Sequence, residues 1–169
     1  LDVEFVGHPL VGSCTPSTNT VTIKKDLDIG TSHPVITLLP GSREAEVKKI
    51  LPIMIEAASI FAQKQPEAVF VISHASHLDE DLYTAICQKH TIPYRLTKQS
   101  IHDIISIADF CWVASGTATL ETALLKKPFI IMYKASWFTY VLAKHLITLP
   151  YIGLVNVIAG KKIVTEFLQ

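Results

Sequence analysis

The sequence predicts an α/β protein built on a doubly wound parallel sheet. Short apolar runs of strand length alternate with stretches of helical spacing along most of its 169 residues. Two of these runs end in small or polar residues, at Gly41-Ser42-Arg43 and Ser115-Gly116-Thr117. From Ala108 to Tyr133 a strand, a tight turn, a helix and a second strand follow one another. This order is typical of the right-handed βαβ unit of a Rossmann-like sheet.

The first part of the chain has weak signals until one strong strand appears. Val3 to Val6 is predicted as a short strand. Gly12 to Thr22 is polar and contains Pro16, so we predict a loop. Lys24 to Asp28 is predicted as a short turn. Val35 to Leu39 is continuously apolar, which favours a buried strand.

A long helix is predicted over Glu44 to Lys64, because apolar residues recur there at helical spacing. Pro52 would remove one backbone hydrogen bond, so we expect a kink or a broken first turn. The later elements continue the alternation: strand Val69–Ile72, helix Leu78–His90, strand Tyr94–Leu96, helix Ser100–Ile107, strand Phe110–Ala114, helix Ala118–Lys126, strand Phe129–Tyr133 and amphipathic helix Ser136–Ile147. Leu149 to Ala159 reads as irregular, and the last residues, from Val164, are helix-like in composition.

Composition limits the classes of function. Lysines and arginines number 15 and balance 15 acidic residues, so no basic field points to nucleic acid. Hydrophobic residues make up 49% and charged residues 18%, which predicts that part of the surface faces another domain, a subunit or a membrane surface. The chain has no run of 18 apolar residues, so we predict no membrane-spanning helix. It also has no initiator Met and no signal-peptide pattern. We therefore expect a piece of a longer protein.

Cysteine and histidine give no sign of a disulfide framework or a metal site. Cys14, Cys87 and Cys111 are far apart and odd in number, so we expect reduced thiols and a cytoplasmic protein. Cys111 lies in a strand pattern and is interpreted as a small hydrophobe. The seven histidines form none of the spacings typical of zinc sites. His8 could donate to a phosphate or close a turn, and His74 and His77 are interpreted as residues that cap a loop.

Two loops at predicted strand ends suggest a phosphate site. Ligands of doubly wound sheets gather at the carboxyl ends of strands, where Gly41-Ser42-Arg43 and Ser115-Gly116-Thr117 are expected to lie side by side. Small residues before a helix leave backbone N–H groups uncovered, and these attract phosphate. Arg43 could clamp a phosphate, or it could be a solvated residue paired with Glu46 or Glu44.

Two further residues have two interpretations each. Glu121 lies one helical turn after Thr117, where a carboxylate could accept hydrogen bonds from a ribose diol. The alternative is an ordinary N-cap at Thr117 with a surface Glu at a favourable helix end. Asn156 lies in an apolar stretch, and it could bind substrate or cap the loop. The sequence contains no dinucleotide fingerprint, no P-loop and no nucleophile elbow.

Four motifs carry a family resemblance. In order they are Phe5-Val6-Gly7-His8-Pro9-Leu10, Leu38-Leu39-Pro40-Gly41-Ser42-Arg43-x-x-Glu46, Ala114-Ser115-Gly116-Thr117-Ala118-Thr119-Leu120-Glu121 and Asn156-Val157-Ile158-Ala159-Gly160. Together they resemble lipid-A-disaccharide synthase, a family of inverting bacterial glycosyltransferases, over nearly the whole chain. Val155 departs from the pattern, because the resemblance predicts Pro before Asn156.

The resemblance implies one half of a two-domain glycosyltransferase fold of the GT-B type. Residues 1–169 would form the C-terminal nucleotide-sugar-binding domain, without the N-terminal acceptor domain and the final C-terminal segment. The implied reaction joins UDP-2,3-diacylglucosamine to 2,3-diacylglucosamine 1-phosphate and releases UDP and a β-1,6-linked disaccharide. The base would come from the missing half, so this piece alone is expected to be inactive.

The resemblance also implies roles for individual residues. Arg43, Gly41 and Ser42 and the backbone of Ser115, Gly116 and Thr117 would hold the diphosphate, and Glu121 the ribose hydroxyls. Asn156 would lie near the reacting groups, so Arg43 and Asn156 are the implied catalytic residues. No metal and no cofactor are implied.

The implied partners are lipid-linked. They are the acylated UDP-sugar donor, the acylated sugar phosphate acceptor, the chain's own N-terminal domain and the inner face of the bacterial inner membrane, where the enzyme would be peripheral. A homodimer is an open expectation, and no nucleic-acid partner is expected. Two rival interpretations remain. One is an enzyme similar to UDP-N-acetylglucosamine 2-epimerase, which shares the Ser115-Gly116-Thr117 loop and Glu121 but lacks the Pro40-Gly41-Ser42-Arg43 block. The other is a non-catalytic UDP-binding module.

Overall fold

The computed structural model describes residues 7–30, 33–134 and 151–168. Within these ranges the strands are β1 Val35–Leu39, β2 Val69–Ser73, β3 Tyr94–Thr97, β4 Phe110–Ala114, β5 Phe129–Tyr133 and β6 Thr165–Leu168. The helices are α1 Thr20–Asp26, α2 Glu44–Lys64, α3 Glu80–Cys87, α4 Ile101–Ser106, α5 Ala118–Leu124 and α6 Leu154–Ala159. Each of these helices is too short or too polar to cross a membrane.

The six strands form one parallel sheet in the order β3-β2-β1-β4-β5-β6. The chain moves outward in one direction from β1 and in the other direction from β4, so these neighbouring strands mark the topological switch point. Leu38 of β1 is in register with Trp112 of β4. The two strands therefore end beside each other, which brings the loops that follow them together. The predicted doubly wound, Rossmann-like α/β fold is confirmed.

Two hydrophobic clusters cover the two faces of the sheet. On the face of α2 the largest buried side chains include Leu51, Met54, Phe70 and Tyr83. The opposite face is packed by α1, α4, α5 and α6, and it buries residues such as Ile104, Cys111, Val113 and Ile131. Successive strand residues point to opposite faces, so Trp112 belongs to the first cluster while Cys111 and Val113 belong to the second. Because both faces are covered, the central strands could be recognised in the sequence as continuous apolar runs.

The long helix α2 has the predicted bounds. Of the two alternatives expected at Pro52, a kink or a broken first turn, the broken first turn is wrong. The helix runs without a break from Glu44 through Pro52 to Lys64. Pro52 lies well beyond the first turn, where its missing N–H costs one hydrogen bond. The helix buries one apolar stripe against the sheet, made of Val47, Ile50, Leu51, Met54, Ile55 and Ala58, and this packing offsets the loss.

Three predicted irregular or helix-like segments have a different structure. The loop and turn predicted before Gly30 contain helix α1, because Asn19 accepts a hydrogen bond from the Thr22 N–H at 2.9 Å and Ile23 is buried. The irregular segment before Gly160 contains helix α6, which ends at Gly160 with a left-handed φ of 63°. The helix-like C-terminal residues form strand β6, since they pair with β5.

Two predicted elements lie outside the described residues. They are the strand Val3–Val6 and the helix Ser136–Ile147. The other predicted helices and strands are confirmed, with ends that shift by a few residues. The largest shift is that α3 covers Glu80–Cys87, whereas the prediction ran from Leu78 to His90.

Candidate functional site

A cleft of about 390 Å³ opens at the carboxyl ends of β1 and β4. Its walls are the two loops predicted from the sequence, together with the start of α5 and part of α4. The lining residues are Leu39, Gly41, Ser42, Arg43, Glu46, Ser73, Ala75, Ile101, Ala114, Ser115, Gly116, Thr117, Ala118 and Glu121. Seven of the eight site residues expected from the sequence therefore line one cleft: Gly41, Ser42, Arg43, Ser115, Gly116, Thr117 and Glu121.

The loop after β1 is shaped by Glu46, in the first turn of α2. One oxygen of its carboxylate, Oε2, accepts hydrogen bonds from the backbone N–H groups of Ser42 and Arg43, at 3.2 and 3.3 Å. Gly41 adopts φ 108°, and a Cβ there would lie 2.5 Å from Glu46 Oε2. Glycine is therefore required by both the backbone angle and the space. In the structure, the carboxylate of Glu46 satisfies the two N–H groups that this loop offers to an anion.

Arg43 stands at the mouth of the cleft. Its Nη1 donates to Glu46 Oε1 at 3.1 Å, and its side chain is 83% exposed. The alternative in which Arg43 pairs with Glu46 is thus confirmed, and Arg43 also lines the cleft. A surface ion pair of this kind contributes only about 0–1 kcal/mol. Such a weak pair leaves the guanidinium able to turn toward a more strongly charged ligand.

The loop after β4 presents uncovered backbone to the cleft. The Ser115 N–H donates to the Met132 carbonyl oxygen at 3.1 Å and so belongs to the sheet. For the N–H groups of Gly116 and Thr117, no acceptor is found among the residues that the structure describes. A Cβ on Gly116 would meet no atom within 4 Å, so the space before this backbone is open. Two N–H donors are therefore exposed to any ligand in the cleft.

The N-cap interpretation of Thr117 does not match the geometry. Thr117 has helical φ and ψ, and its side chain makes no capping hydrogen bond. Glu121 is not a surface residue either, because its side chain is 15% exposed. The Glu121 Oε1 lies 3.2 Å from Nε2 of His102, which is 20% exposed. The carboxylate is thus held inside the wall of the cleft.

Two residues at the start of α4 were missed in the sequence. His102 contacts Glu121, as described above. The buried Asp103 accepts hydrogen bonds from the N–H and the hydroxyl of Ser17, both at 2.6 Å. The predicted helix Ser100–Ile107 placed both residues at the correct edge of the sheet. Nothing local pointed to their partners, which lie 19 and 86 residues away in the chain.

The loop held by Asp103 passes near Glu121. Cys14 belongs to this loop, and burial followed by the negative charge of Glu121 raises the pKa of its thiol. The pKa of the Cys14 thiol therefore depends on the charge of Glu121 as well as on burial.

Asn156 lies outside the cleft and is fully buried. Its Nδ2 donates to the Val164 carbonyl oxygen at 2.8 Å and to Glu166 Oε1 at 2.7 Å. Its Oδ1 accepts from the N–H groups of Ile163 and Val164, at 2.8 and 2.9 Å. These four bonds use the full capacity of the amide. The structure supports the loop-capping alternative, and the catalytic role of Asn156 stays a prediction.

Two of the histidines expected to close a turn or cap a loop have that role. His8 Nδ1 accepts from the Leu10 N–H at 3.2 Å and closes a turn. His74 Nε2 lies 2.9 Å from the Leu78 carbonyl oxygen, and the ring packs against Tyr83. Across residues 7–30, 33–134 and 151–168, no three His, Cys, Asp or Glu side chains are grouped closely enough to hold a metal ion.

Two further cavities continue from the cleft along the sheet edge. A cavity of about 350 Å³ shares Arg43, Glu46, Ala114 and Ser115 with the cleft and adds Lys49 and Lys134. Beyond it lies an apolar groove of about 460 Å³ between α2 and the strands β5 and β6. Its lining residues are Ile50, Ile53, Ala57, Ile130, Met132, Tyr133, Phe167 and Leu168. A polar cleft, a cationic cavity and an apolar groove thus follow one another.

Comparison with known proteins gives one consistent answer. Lipid-A-disaccharide synthase 1 of Legionella pneumophila (strain Lens) is 38% identical over 167 residues, which are 99% of this chain and 44% of that protein. Lipid-A-disaccharide synthases of Dechloromonas aromatica and Syntrophus aciditrophicus are also 38% identical, over 171 and 170 residues. The chain spans 44–45% of the length of these relatives. The sequence profile of the lipid-A-disaccharide synthetase family matches residues 1–169, and the chain belongs to this family.

Proposed function

We propose that this chain is the C-terminal, nucleotide-binding domain of a GT-B glycosyltransferase. The reaction joins UDP-2,3-diacylglucosamine to 2,3-diacylglucosamine 1-phosphate and gives the β-1,6-linked lipid A disaccharide and UDP. Family membership supports the general activity, and the coverage of less than half of each relative supports assignment to one half of the enzyme. The remaining half supplies the acceptor site and the general base.

The observation that carries the proposal is the cleft at the topological switch point. Gly116 and Thr117 line it, and their backbone N–H groups have no acceptor among the described residues. A cation, Arg43, lies at its mouth, and a carboxylate, Glu121, lies in its wall. Donors and a cation suit a diphosphate, and a carboxylate suits the two hydroxyls of a ribose. A cleft that offers both kinds of group suits a nucleoside diphosphate better than an isolated phosphate.

The chemistry of this half is stabilisation of the leaving group. An inverting transfer proceeds by one displacement, in which the acceptor hydroxyl attacks and the diphosphate departs with growing negative charge. The N–H groups of Gly116 and Thr117 and the guanidinium of Arg43 meet this charge. Arg43 exchanges the carboxylate of Glu46 for the diphosphate, and the cost is low because the ion pair is exposed.

The lipid parts of the substrates account for the apolar surface. The cationic cavity shares lining residues with the cleft on one side and with the groove beside β5 and β6 on the other. Acylated substrates place the enzyme at the inner face of the inner membrane as a peripheral protein. An apolar groove near the nucleotide site suits substrates of which one end is charged and the other is an acyl chain.

The test has two steps. Calorimetric titration of the chain with UDP, UMP and uridine should show saturable binding that weakens as phosphates are removed, because the phosphates meet the donors at Gly116 and Thr117. Absence of UDP binding, or equal binding of uridine, would contradict the nucleotide site.

A product assay on the full-length protein with both lipid substrates should then yield disaccharide and UDP. Interconversion of UDP-N-acetylglucosamine with its 2-epimer would favour the epimerase alternative, and binding without any turnover would favour a regulatory module. The 169-residue chain alone should give no disaccharide in the same assay, and turnover comparable with that of the full-length protein would contradict its assignment as one half of the site.

A further inference from the structure

The carboxylate of Glu121 is held by His102, for which the sequence predicts no role. His102 is the second residue of α4, and its Nε2 lies 3.2 Å from Glu121 Oε1. Both side chains are largely buried, at 20% and 15% exposure. His102 is absent from the lining of the cleft, whereas Glu121 is part of it. The imidazole therefore contacts the carboxylate from outside the lining of the cleft.

The turn that carries His102 is fixed on its other side. The next residue, Asp103, is buried and accepts two hydrogen bonds of 2.6 Å from Ser17. The first turn of α4 is therefore clamped to the loop that precedes α1. A histidine on this turn has little freedom to follow a moving Glu121, so it defines where the carboxylate lies.

One hydrogen bond to His102 leaves acceptor capacity on Glu121. A carboxylate has about four lone-pair sites on its two oxygens, and His102 uses one of them. The oxygen Oε2 and the remaining lone pair of Oε1 can accept from two hydroxyl groups. A glutamate side chain has three rotatable bonds, so an unrestrained one would lose much freedom on binding a diol. Holding it beforehand removes that loss from the binding free energy.

We propose that His102 is a positioning residue that sets the preference of the cleft for a nucleotide with an intact ribose cis-diol. Its Nε2–H donates to Glu121 Oε1 and orients the carboxylate toward the cleft. This inference rests on the proposed function, because it assumes that a uridine nucleotide binds with its ribose beside Glu121.

The experiment compares UDP with 2′,3′-dideoxy-UDP, which lacks both ribose hydroxyls. Calorimetric titration of the full chain with each nucleotide is repeated for His102→Ala, His102→Gln and the matched control His77→Ala. His77 is an exposed histidine after the end of β2 and outside the lining of the cleft. His102→Ala should weaken UDP binding about threefold to tenfold, in line with the loss of one hydrogen bond, and should leave dideoxy-UDP binding unchanged.

Three comparisons separate positioning from a general structural role. His102→Gln retains an N–H donor and should restore most of the preference for UDP. His102→Ala combined with Glu121→Gln should lose no more preference than Glu121→Gln alone, because the two residues act as one unit. Equal weakening of both nucleotides by His102→Ala would overturn the inference, and so would an unchanged preference for UDP.

Failure of the proposed function has a different signature. If the wild-type chain does not bind UDP, or binds it no better than the dideoxy nucleotide, the ribose assignment fails and the inference is overturned with it. If the wild-type chain prefers UDP and Glu121→Gln loses the preference while His102→Ala retains it, only the inference about His102 is overturned.

Discussion

At the residue scale, Glu121 carries the sharpest test of the nucleotide site. Glu121→Gln retains the shape of the side chain but removes its charge and one acceptor. Hydrogen bonds to a charged group contribute roughly 1.5–3 kcal/mol, so UDP binding should weaken about tenfold to a hundredfold. Titration with UDP and 2′,3′-dideoxy-UDP measures both the loss and its dependence on the diol. If Glu121→Gln discriminates against the dideoxy nucleotide as strongly as wild type does, Glu121 is not the ribose ligand.

Arg43 tests whether the exposed guanidinium acts on the leaving group. Arg43→Lys retains the charge but loses the planar fork that can bond two phosphate oxygens. Loss of one such contact in the transition state costs roughly 2–4 kcal/mol, on the order of a hundredfold in the rate of transfer by the full-length protein. Lys48→Ala is a suitable control, because Lys48 is an exposed cation on the same helix, paired with Glu44. Unchanged turnover in Arg43→Ala would remove Arg43 from the site.

The reactivity of Cys14 tests the electrostatic influence of Glu121, and the two buried thiols serve as unreactive references. Burial raises the pKa of Cys87 to about 11 and of Cys111 to about 12, and both are inaccessible, so neither should react with a thiol reagent near neutral pH. Cys14 is partly exposed and should react slowly. Because the charge of Glu121 disfavours the nearby thiolate, Glu121→Gln should lower the pKa of Cys14. The pH profile of Cys14 labelling should then shift to lower pH, and an unshifted profile would contradict the electrostatic contact.

At the scale of elements, Asn156 and Glu166 hold the corner between α6 and β6. Glu166 accepts from the N–H groups of Ile152 and Gly153, both at 3.0 Å, and from Asn156 Nδ2. Asn156→Leu would leave the carboxylate of Glu166 and the N–H groups of Ile163 and Val164 without this partner. Fully buried unsatisfied groups cost about 1–3 kcal/mol each, and the groups at this corner are only partly buried.

We therefore expect Asn156→Leu to lower the free energy of unfolding by about 2–3 kcal/mol, because part of the loss is offset by water at the edge of the corner. Denaturant titration of the chain measures this change, and Gln63→Leu is the matched control, since Gln63 is exposed on α2 and its side chain has no hydrogen-bond partner among the described residues. If Asn156→Leu unfolds like wild type yet abolishes transfer in the full-length protein, the catalytic interpretation of Asn156 is favoured over the capping one.

The elements also show what a sequence can and cannot predict. The strands β1, β4 and β5 and the helix α2 were predicted with correct bounds, because each carries its own continuous or periodic apolar pattern. Helices α1 and α6 and strand β6 have 7, 6 and 4 residues, and each depends on a partner elsewhere. β6 has no alternating burial of its own and is a strand because it pairs with β5.

In the cleft, too, features with a local sequence pattern could be predicted, and contacts between distant segments could not. Its loops follow directly from the strands, so the glycines, Ser115 and Thr117 could be located from the sequence. Glu121 followed from helical spacing. The contacts of His102 and Asp103 could not be located, because each joins segments that only the folded sheet brings together. The position of Asn156 outside the cleft was equally hidden, since its bonds go to Ile163, Val164 and Glu166, which lie just before or within a strand that the sequence did not predict.

At the scale of the whole molecule, the sheet is polar at the edge that carries the cleft and apolar along one side of β5 and β6. The exposed apolar residues of the groove include Phe167, at 53% exposure, and Leu168, at 47%. The formal net charge is +0, so charge repulsion gives little protection against association. An apolar groove of about 460 Å³ on a neutral chain is a surface that suits another apolar group.

We expect the chain to bind a hydrophobic dye and to self-associate through this groove. Phe167→Glu should reduce both dye fluorescence and the apparent mass in light scattering, because a charge in the groove opposes burial of apolar surface. Val21→Glu is the matched control, since Val21 is 69% exposed but lies on α1, away from the groove. If Phe167→Glu and Val21→Glu behave alike, the groove is not the associating surface. If the wild-type chain is a monodisperse monomer that binds no hydrophobic dye, the apolar groove does not mediate self-association.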